Sequence, residues 1–177
     1  MQPLLERLLL FVRMLPDRTV LGICRCGPLG TVRRAPGTVG SLGGLALYTI
    51  FFFPLGLIGQ LLLLLLLIGL AIPFCEEGER RLGKRDPGEI VLDEAVAMPL
   101  CFLGLSEALL ATGMVWFFML LGFALFRLYD ILKPFGINRL QRYPGGLGVV
   151  LDDLAAAVAT HVTLVLFLFA FRFGGWA

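Results

Sequence analysis

The sequence predicts an all-α, polytopic membrane helical bundle with four to five spanning or membrane-embedded helices and an N-terminal interfacial helix. Three observations lead there. Apolar residues make up 58% of the chain and mean hydropathy is +0.90, far above the soluble average. Four uncharged runs of 16 to 21 residues recur along it. Between them, the charged residues fall almost wholly in alternate connections. A chain of 177 residues reads as one domain, residues 1–177. A net charge of +2 is too small to argue for nucleic acid. Four cysteines (Cys24, Cys26, Cys75, Cys101) with a single histidine, His161, offer neither a disulfide framework nor a structural zinc set, so free thiols are expected.

The opening MQPLLERLLLFVRML carries Glu6, Arg7 and Arg13 inside an apolar run, which suits an interfacial amphipathic helix better than a cleaved leader. Residues 16–37, rich in Pro and Gly, carry Arg18, Arg25, Arg33 and Arg34 and read as a basic loop. Thr38 to Phe53 is uncharged for 16 residues, with Thr38 as the expected N-cap. Pro54–Gly56 allows a reversal. Leu55–Cys75, 21 residues, is long enough to cross a ~30 Å hydrocarbon core.

EEGERRLGKRDPGE (76–89) is dense in both signs of charge and broken by glycines, so it reads as a water-exposed loop. Ala95–Leu105 has only 11 residues and spans only if its helix starts near Glu89. Gly104–Glu107 reads as a turn. Ala108–Phe126 is a 19-residue span that continues through Arg127, Asp130 and Lys133 until Pro134 stops it. Residues 134–151 form a Gly/Pro-rich loop, and Leu154–Phe171 is the last span, with Arg172 and Trp176 beyond.

Alternating these spans puts segments 1–37, 76–94 and 127–153 on one side. Together they hold every Lys and Arg except Arg172, and every Asp and Glu except Glu107. The Lys/Arg bias marks that side as cytoplasmic. Three acidic stations then share one face at headgroup depth: Asp93–Glu94, Asp130 and Asp152–Asp153.

Acids favour a helix's first turn, and Asp152 or Asp153 could cap a helix beginning at Leu154. Asp130, however, sits at the negative end of its helix, with Arg127 and Lys133 three residues either side. Clustered carboxylates repel unless protonated or bridged by a cation, and an oxygen-only donor set suits Mg²⁺. APGTVGSLGG (35–44) opens a helix with a Gly-rich turn that can meet an anion through its amides and the Thr38 and Ser41 hydroxyls. Gly40-x-x-x-Gly44 also allows close helix packing. His161, mid-span, reads as a hydrogen-bonded packing residue. An anion site and an acidic cluster at one headgroup level fit phosphoryl chemistry on a membrane phospholipid, with Mg²⁺ activating water. The alternative is a small cation-coupled transporter using the clustered carboxylates. Transporters place such acids near the midplane and often show internal repeats, whereas here they gather at one face.

Three blocks carry a family resemblance: APGTVGSLGGL, DPGEIVLDEAVAM and FRLYDILKPFGINRLQRYPGGLGVVLDDLAAAV. In order and spacing they resemble the phosphatidylglycerophosphatase A family. The resemblance implies an all-helical, Mg²⁺-dependent enzyme of the bacterial inner membrane, with its active site on the cytoplasmic face, removing the terminal phosphate of phosphatidylglycerophosphate to give phosphatidylglycerol. It assigns the acidic motif to Asp93, Glu94, Asp130, Asp152 and Asp153. The phosphate side falls to Pro36, Gly37, Thr38, Gly40 and Ser41, with Arg127 and Lys133 as further candidates from their position. The chain departs from the family at Leu92 and Ala97, usually Trp and Gly, and around 134–146. A homo-oligomer is compatible with the sequence, and no nucleic-acid partner is expected.

Overall fold

The computed structural model describes residues 2–174, apart from the side chains of Gln2, Pro3, Phe135, Asn138 and Gln141; Trp176 lies outside the described residues. Eight α-helices are linked by short 3₁₀ and π turns, with no strand among the described residues. Three helices are long and apolar enough to cross a membrane: α4 (Leu57–Leu82), α7 (Val115–Leu132) and α8 (Gly146–Phe173). Two shorter apolar segments join them, α3 (Pro36–Leu47) with its π turn Tyr48–Phe52, and α5 (Leu92–Ala97) with its 3₁₀ turn Met98–Phe102. The protein is a helical membrane bundle, as its composition predicts.

Helix α1 (Gln2–Met14) presents Leu4, Leu5, Leu10, Phe11 and Met14 outward while Val12 is buried against the bundle. An apolar outer face on a short charged helix suits the headgroup boundary. The basic stretch 16–37 is not all loop, because Asp17–Cys24 forms α2, burying Val20 and Cys24. Helix α3 starts two residues before the expected cap. Pro36 takes the first helical position, where its missing N–H is harmless, and Ala35 before it is left-handed, φ 51°.

Helix α4 runs through EEGERRL, which the sequence reads as a water-exposed loop. Arg80 and Arg81 close on Glu77 from one turn away, so the charges support helix rather than break it. Gly83, left-handed at φ 64°, ends α4, a common C-terminal device. Glu89 is outside α5, which begins only at Leu92. Its carboxylate is drawn to Arg25 of the connection after α2, and Ile90 N–H bonds the Pro87 carbonyl at 2.8 Å, so 86–91 is a pinned turn. Pro99 then takes α5 into a 3₁₀ turn, and the short element stays inside the bundle.

The expected Ala108–Phe126 span is divided. Helix α6 (Ser106–Ala111) ends at Thr112, whose hydroxyl accepts the Met114 N–H at 3.0 Å; Gly113 is left-handed, and α7 begins afresh. Helix α8 starts eight residues earlier than the sequence suggests. Gly145 turns the chain at φ 67°, and a Cβ on Gly146 would strike the Ile72 carbonyl, so the glycines serve helix contact with α4.

Two apolar cores flank the acidic end. One gathers Tyr48, Phe52, Phe102, Phe126 and Leu164, with Tyr48 and Phe102 rings 4.9 Å apart. The other joins Val12, Val20, Ile90, Val96 and Val150. At the opposite end of the bundle Gln60 is fully satisfied, donating to Phe52, Leu55 and Ser106 and accepting the Gly104 N–H at 2.8 Å.

Candidate active site

Helix α5 is short, but it is held on three sides by α3, α4 and α8. Gly40 and Gly44 bring α3 against it: a Cβ at Gly40 would come 2.6 Å from Val91, and one at Gly44 2.5 Å from Met98. From behind, Val91 N–H bonds the Cys24 carbonyl at 2.9 Å. Asp93 and Glu94 are thereby fixed at the start of α5, with Glu94 N–H on Asp93 Oδ1 at 3.1 Å. Asp152 and Asp153 lie in the second turn of α8, not at its cap, and both are buried. Helix capping therefore does not account for them.

Asp93, Glu94 and Asp153 converge, offering ligand oxygens within 4.8 Å of one another. Asp130 joins through Arg127, whose Nη1 lies 2.7 Å from Asp130 and 3.8 Å from Glu94. Lys133 sits between Asp130, at 4.0 Å, and Asp152, to which it is directly bonded. Five carboxylates thus share two cations. Burial, then the Glu94 charge, pushes the Asp93 carboxyl well above the ordinary carboxylate range. Burial also raises Glu94, against the opposing bond to Asp93 and the Arg127 charge. Burial opposes charge on Lys133, but its bond to Asp152 and the neighbouring acids outweigh this and raise its pKa.

The start of α3 faces the same arginine. Arg127 Nη1 donates to Ser41 Oγ at 3.3 Å, and Ser41 donates to the Gly37 carbonyl at 2.8 Å. A Cβ at Gly37 would strike Glu94 and lie 3.2 Å from both terminal nitrogens of Arg127, so only glycine allows this approach. Thr38 is half-buried inside the first turn, its N–H on the Ala35 carbonyl at 3.0 Å, with no side-chain hydrogen bond among the described residues. Gly37, Arg127 and Lys133 meet the acids, Ser41 reaches them only through Arg127, and Gly40 lies in the α3–α5 contact.

Two supports of the site carry no catalytic motif in the sequence. Arg25 clamps Glu89, and the Cys24–Cys26 turn backs Val91. The only sequence signal was the unusual Cys-Arg-Cys itself. All four cysteines are free thiols. Burial and the Asp93 charge push Cys24 and Cys26 up to about 12, which makes them poor nucleophiles at neutral pH. His161 Nδ1 lies 3.3 Å from the Cys101 carbonyl, as a packing histidine would.

The donor set fits a hard divalent cation. All its ligand atoms are carboxylate oxygens, the preference of Mg²⁺, and Glu94 Oε2 is buried with no hydrogen-bond partner among the described residues. A cavity of about 470 Å³ lies between α6 and the end of α8, and its lining contains no carboxylate.

Together with its likeness to known proteins, this fold and site define a lipid phosphatase of the membrane. The family model described as Phosphatidylglycerophosphatase A matches residues 22–168. A Phosphatidylglycerophosphatase A of Haemophilus influenzae is 36% identical over 140 residues, 78% of this chain and 80% of that protein. One from Escherichia coli K12 is 32% identical over 70% of this chain and 68% of its own length. A protein of Bacteroides thetaiotaomicron described as a putative phosphatidylinositol-3-phosphatase is 28% identical over 73% of this chain and 81% of its own. No solved structure matches. The chain belongs to the phosphatidylglycerophosphatase A family.

Proposed function

We propose that this protein hydrolyses the terminal phosphate monoester of phosphatidylglycerophosphate, in a Mg²⁺-dependent reaction at the cytoplasmic face of a bacterial inner membrane. The observation that carries the reading is the carboxylate trio, Asp93 and Asp153 buried and Glu94 partly so, with a Glu94 oxygen unpartnered among the described residues, opening toward Arg127 and the start of α3. Asp93, Glu94 and Asp153 would hold Mg²⁺, which when bound polarises phosphate oxygens and lowers the pKa of water.

The chain's own groups do the rest. Arg127 binds and orients the phosphate, a planar donor suited to two of its oxygens. Asp130 and Ser41 both hold its Nη1. Lys133, kept charged by Asp152 and Asp130, provides a second positive group for the dianion. Gly37 leaves room for the phosphate-side approach, and the surrounding burial excludes bulk water, which strengthens each of these interactions.

Phosphate release from the purified protein tests this directly, comparing phosphatidylglycerophosphate, phosphatidylinositol 3-phosphate, phosphatidate and glycerol 3-phosphate, each with Mg²⁺ and with EDTA. Release from the first substrate alone, abolished by EDTA, is expected. Preference for the inositol lipid would favour the second reading, motivated by the Bacteroides relative. EDTA-resistant turnover would remove the cation. For sidedness, Cys at Arg85 or Arg139 should resist an impermeant thiol reagent in intact cells; labelling there would invert the topology.

A further inference from the structure

We infer that a groove along α7 and α8 is the slot for one acyl chain of the lipid substrate; the inference rests on the lipid-phosphatase reading above. The hollow holds about 340 Å³ and is walled by Tyr129, Ile137, Ala155 and Ala159, with Val158 and Val162 on its rim. It begins at the charged site. Tyr129 adjoins Asp130, Ala155 lies one turn beyond Asp152, and Ile137 follows Lys133 in the 3₁₀ segment Pro134–Arg142.

Between the two walls the Tyr129 and Thr163 hydroxyls bond each other at 2.9 Å, and Thr163 also donates to the Ala159 carbonyl at 2.8 Å. The polar groups are therefore satisfied within the wall, and the groove presents hydrocarbon to its contents. Small alanines make the hollow; half-exposed Val158 and Val162 border it on the membrane side.

Length identifies the occupant. From Asp152 to Thr163 the helix rises ~16 Å, about half of a ~30 Å hydrocarbon core. That is the depth of one leaflet, the reach of an acyl chain whose headgroup lies at Lys133 and Asp152. A chain seated there would hold the phosphate ester in register with Arg127, so that remote binding serves the reacting group.

The test compares dipalmitoyl with dihexanoyl phosphatidylglycerophosphate and the deacylated headgroup, in detergent with saturating Mg²⁺. Ala159→Trp fills the slot, and Val158→Trp overhangs it from the exposed rim should the first variant fold poorly. Each should lower kcat/KM on the dipalmitoyl lipid by roughly tenfold or more, the scale of a lost apolar subsite, while leaving deacylated headgroup turnover at the wild-type level. Chain-length discrimination should largely vanish. Wild-type discrimination in both variants would overturn the slot, as would an equal fall on all three substrates. If the wild-type protein releases no phosphate from any of them, it is the phosphatase reading that fails.

Discussion

Glu77 and Glu94 are both enclosed acids near arginines at the same end of the bundle, but their surroundings differ in composition. Around Glu77, three acids (Asp17, Glu76, Glu77) meet three arginines (Arg13, Arg80, Arg81), and both Glu77 oxygens accept guanidinium hydrogen bonds. Around Glu94, five acids share Arg127 and Lys133 and one Glu94 oxygen has no hydrogen-bond partner, among the described residues. The first cluster is complete as protein and acts as a latch, tying α1 and the segment after it to α4. The second is left with an excess of negative charge that protons or a cation must neutralise. Burial alone does not distinguish the two acids; the missing counter-charge does.

The sharpest way to break this contrast is to neutralise one acid in each cluster. Asp93→Asn and Asp153→Asn should each remove several kcal/mol of transition-state stabilisation, a loss on the order of 10³ in kcat. Their detergent melting points without Mg²⁺ should hold or rise, since a repelling charge has gone. Near-wild-type turnover in either variant would return that residue to a structural role. Glu77→Gln should do the reverse, lowering unfolding stability by about 3 kcal/mol, the low end for breaking a buried pair because Arg13 and Arg80 remain solvated. Activity per folded molecule should persist; an inactive but fully stable Glu77→Gln would erase the distinction.

Acidity sharpens the comparison further. Asp93 and Glu94 have raised pKa values, so the folded protein retains protons that the unfolded chain has released. Cation-free stability should therefore be greatest at low pH and decline as pH climbs through the folded values. If Mg²⁺ is held as proposed, it binds the ionised acids and should flatten or reverse that decline. Melting curves between about pH 5 and pH 8, with EDTA or Mg²⁺, read the difference; parallel curves would place the cation elsewhere. The smallest effect concerns α3. Ser41→Ala removes one weak bond to Arg127, about 0.5–1.5 kcal/mol, and should cost a few-fold in kcat/KM with no change in the Mg²⁺ requirement. Thr38→Ala, whose hydroxyl has no partner among the described residues, should cost less than Ser41→Ala.

The acids were legible because a carboxylate at a membrane edge is conspicuous: Asp93, Glu94, Asp130 and Asp152–Asp153 each abut an apolar run. Their surroundings were harder to read. GGLGVV looked like loop because glycine usually is, yet Gly146 serves a contact with α4 fifty residues or more away in the chain, which no local pattern carries. EEGERRL looked solvated because its charges are dense, whereas Arg13 and Asp17 complete the cluster from another helix. Glu89 looked like the start of α5 until Arg25 claimed its side chain. In each case the element was set by a partner distant in sequence.

The brevity of α5 and its 3₁₀ turn bears on how the protein is made. Eleven residues from Leu92 to Phe102 are too few to cross a bilayer, and two acids at their head add roughly 2.5–3.5 kcal/mol each if placed at its centre. Such a segment does not partition into lipid by itself. It is seated only when α7 and α8, synthesised later, have inserted and closed around it. Biogenesis would then leave the segment waiting at the membrane surface until α8 is made, with Asp153, the last acid of the trio to emerge from the ribosome, completing the site. A nascent chain stalled before α8 would expose an apolar, acid-headed stub.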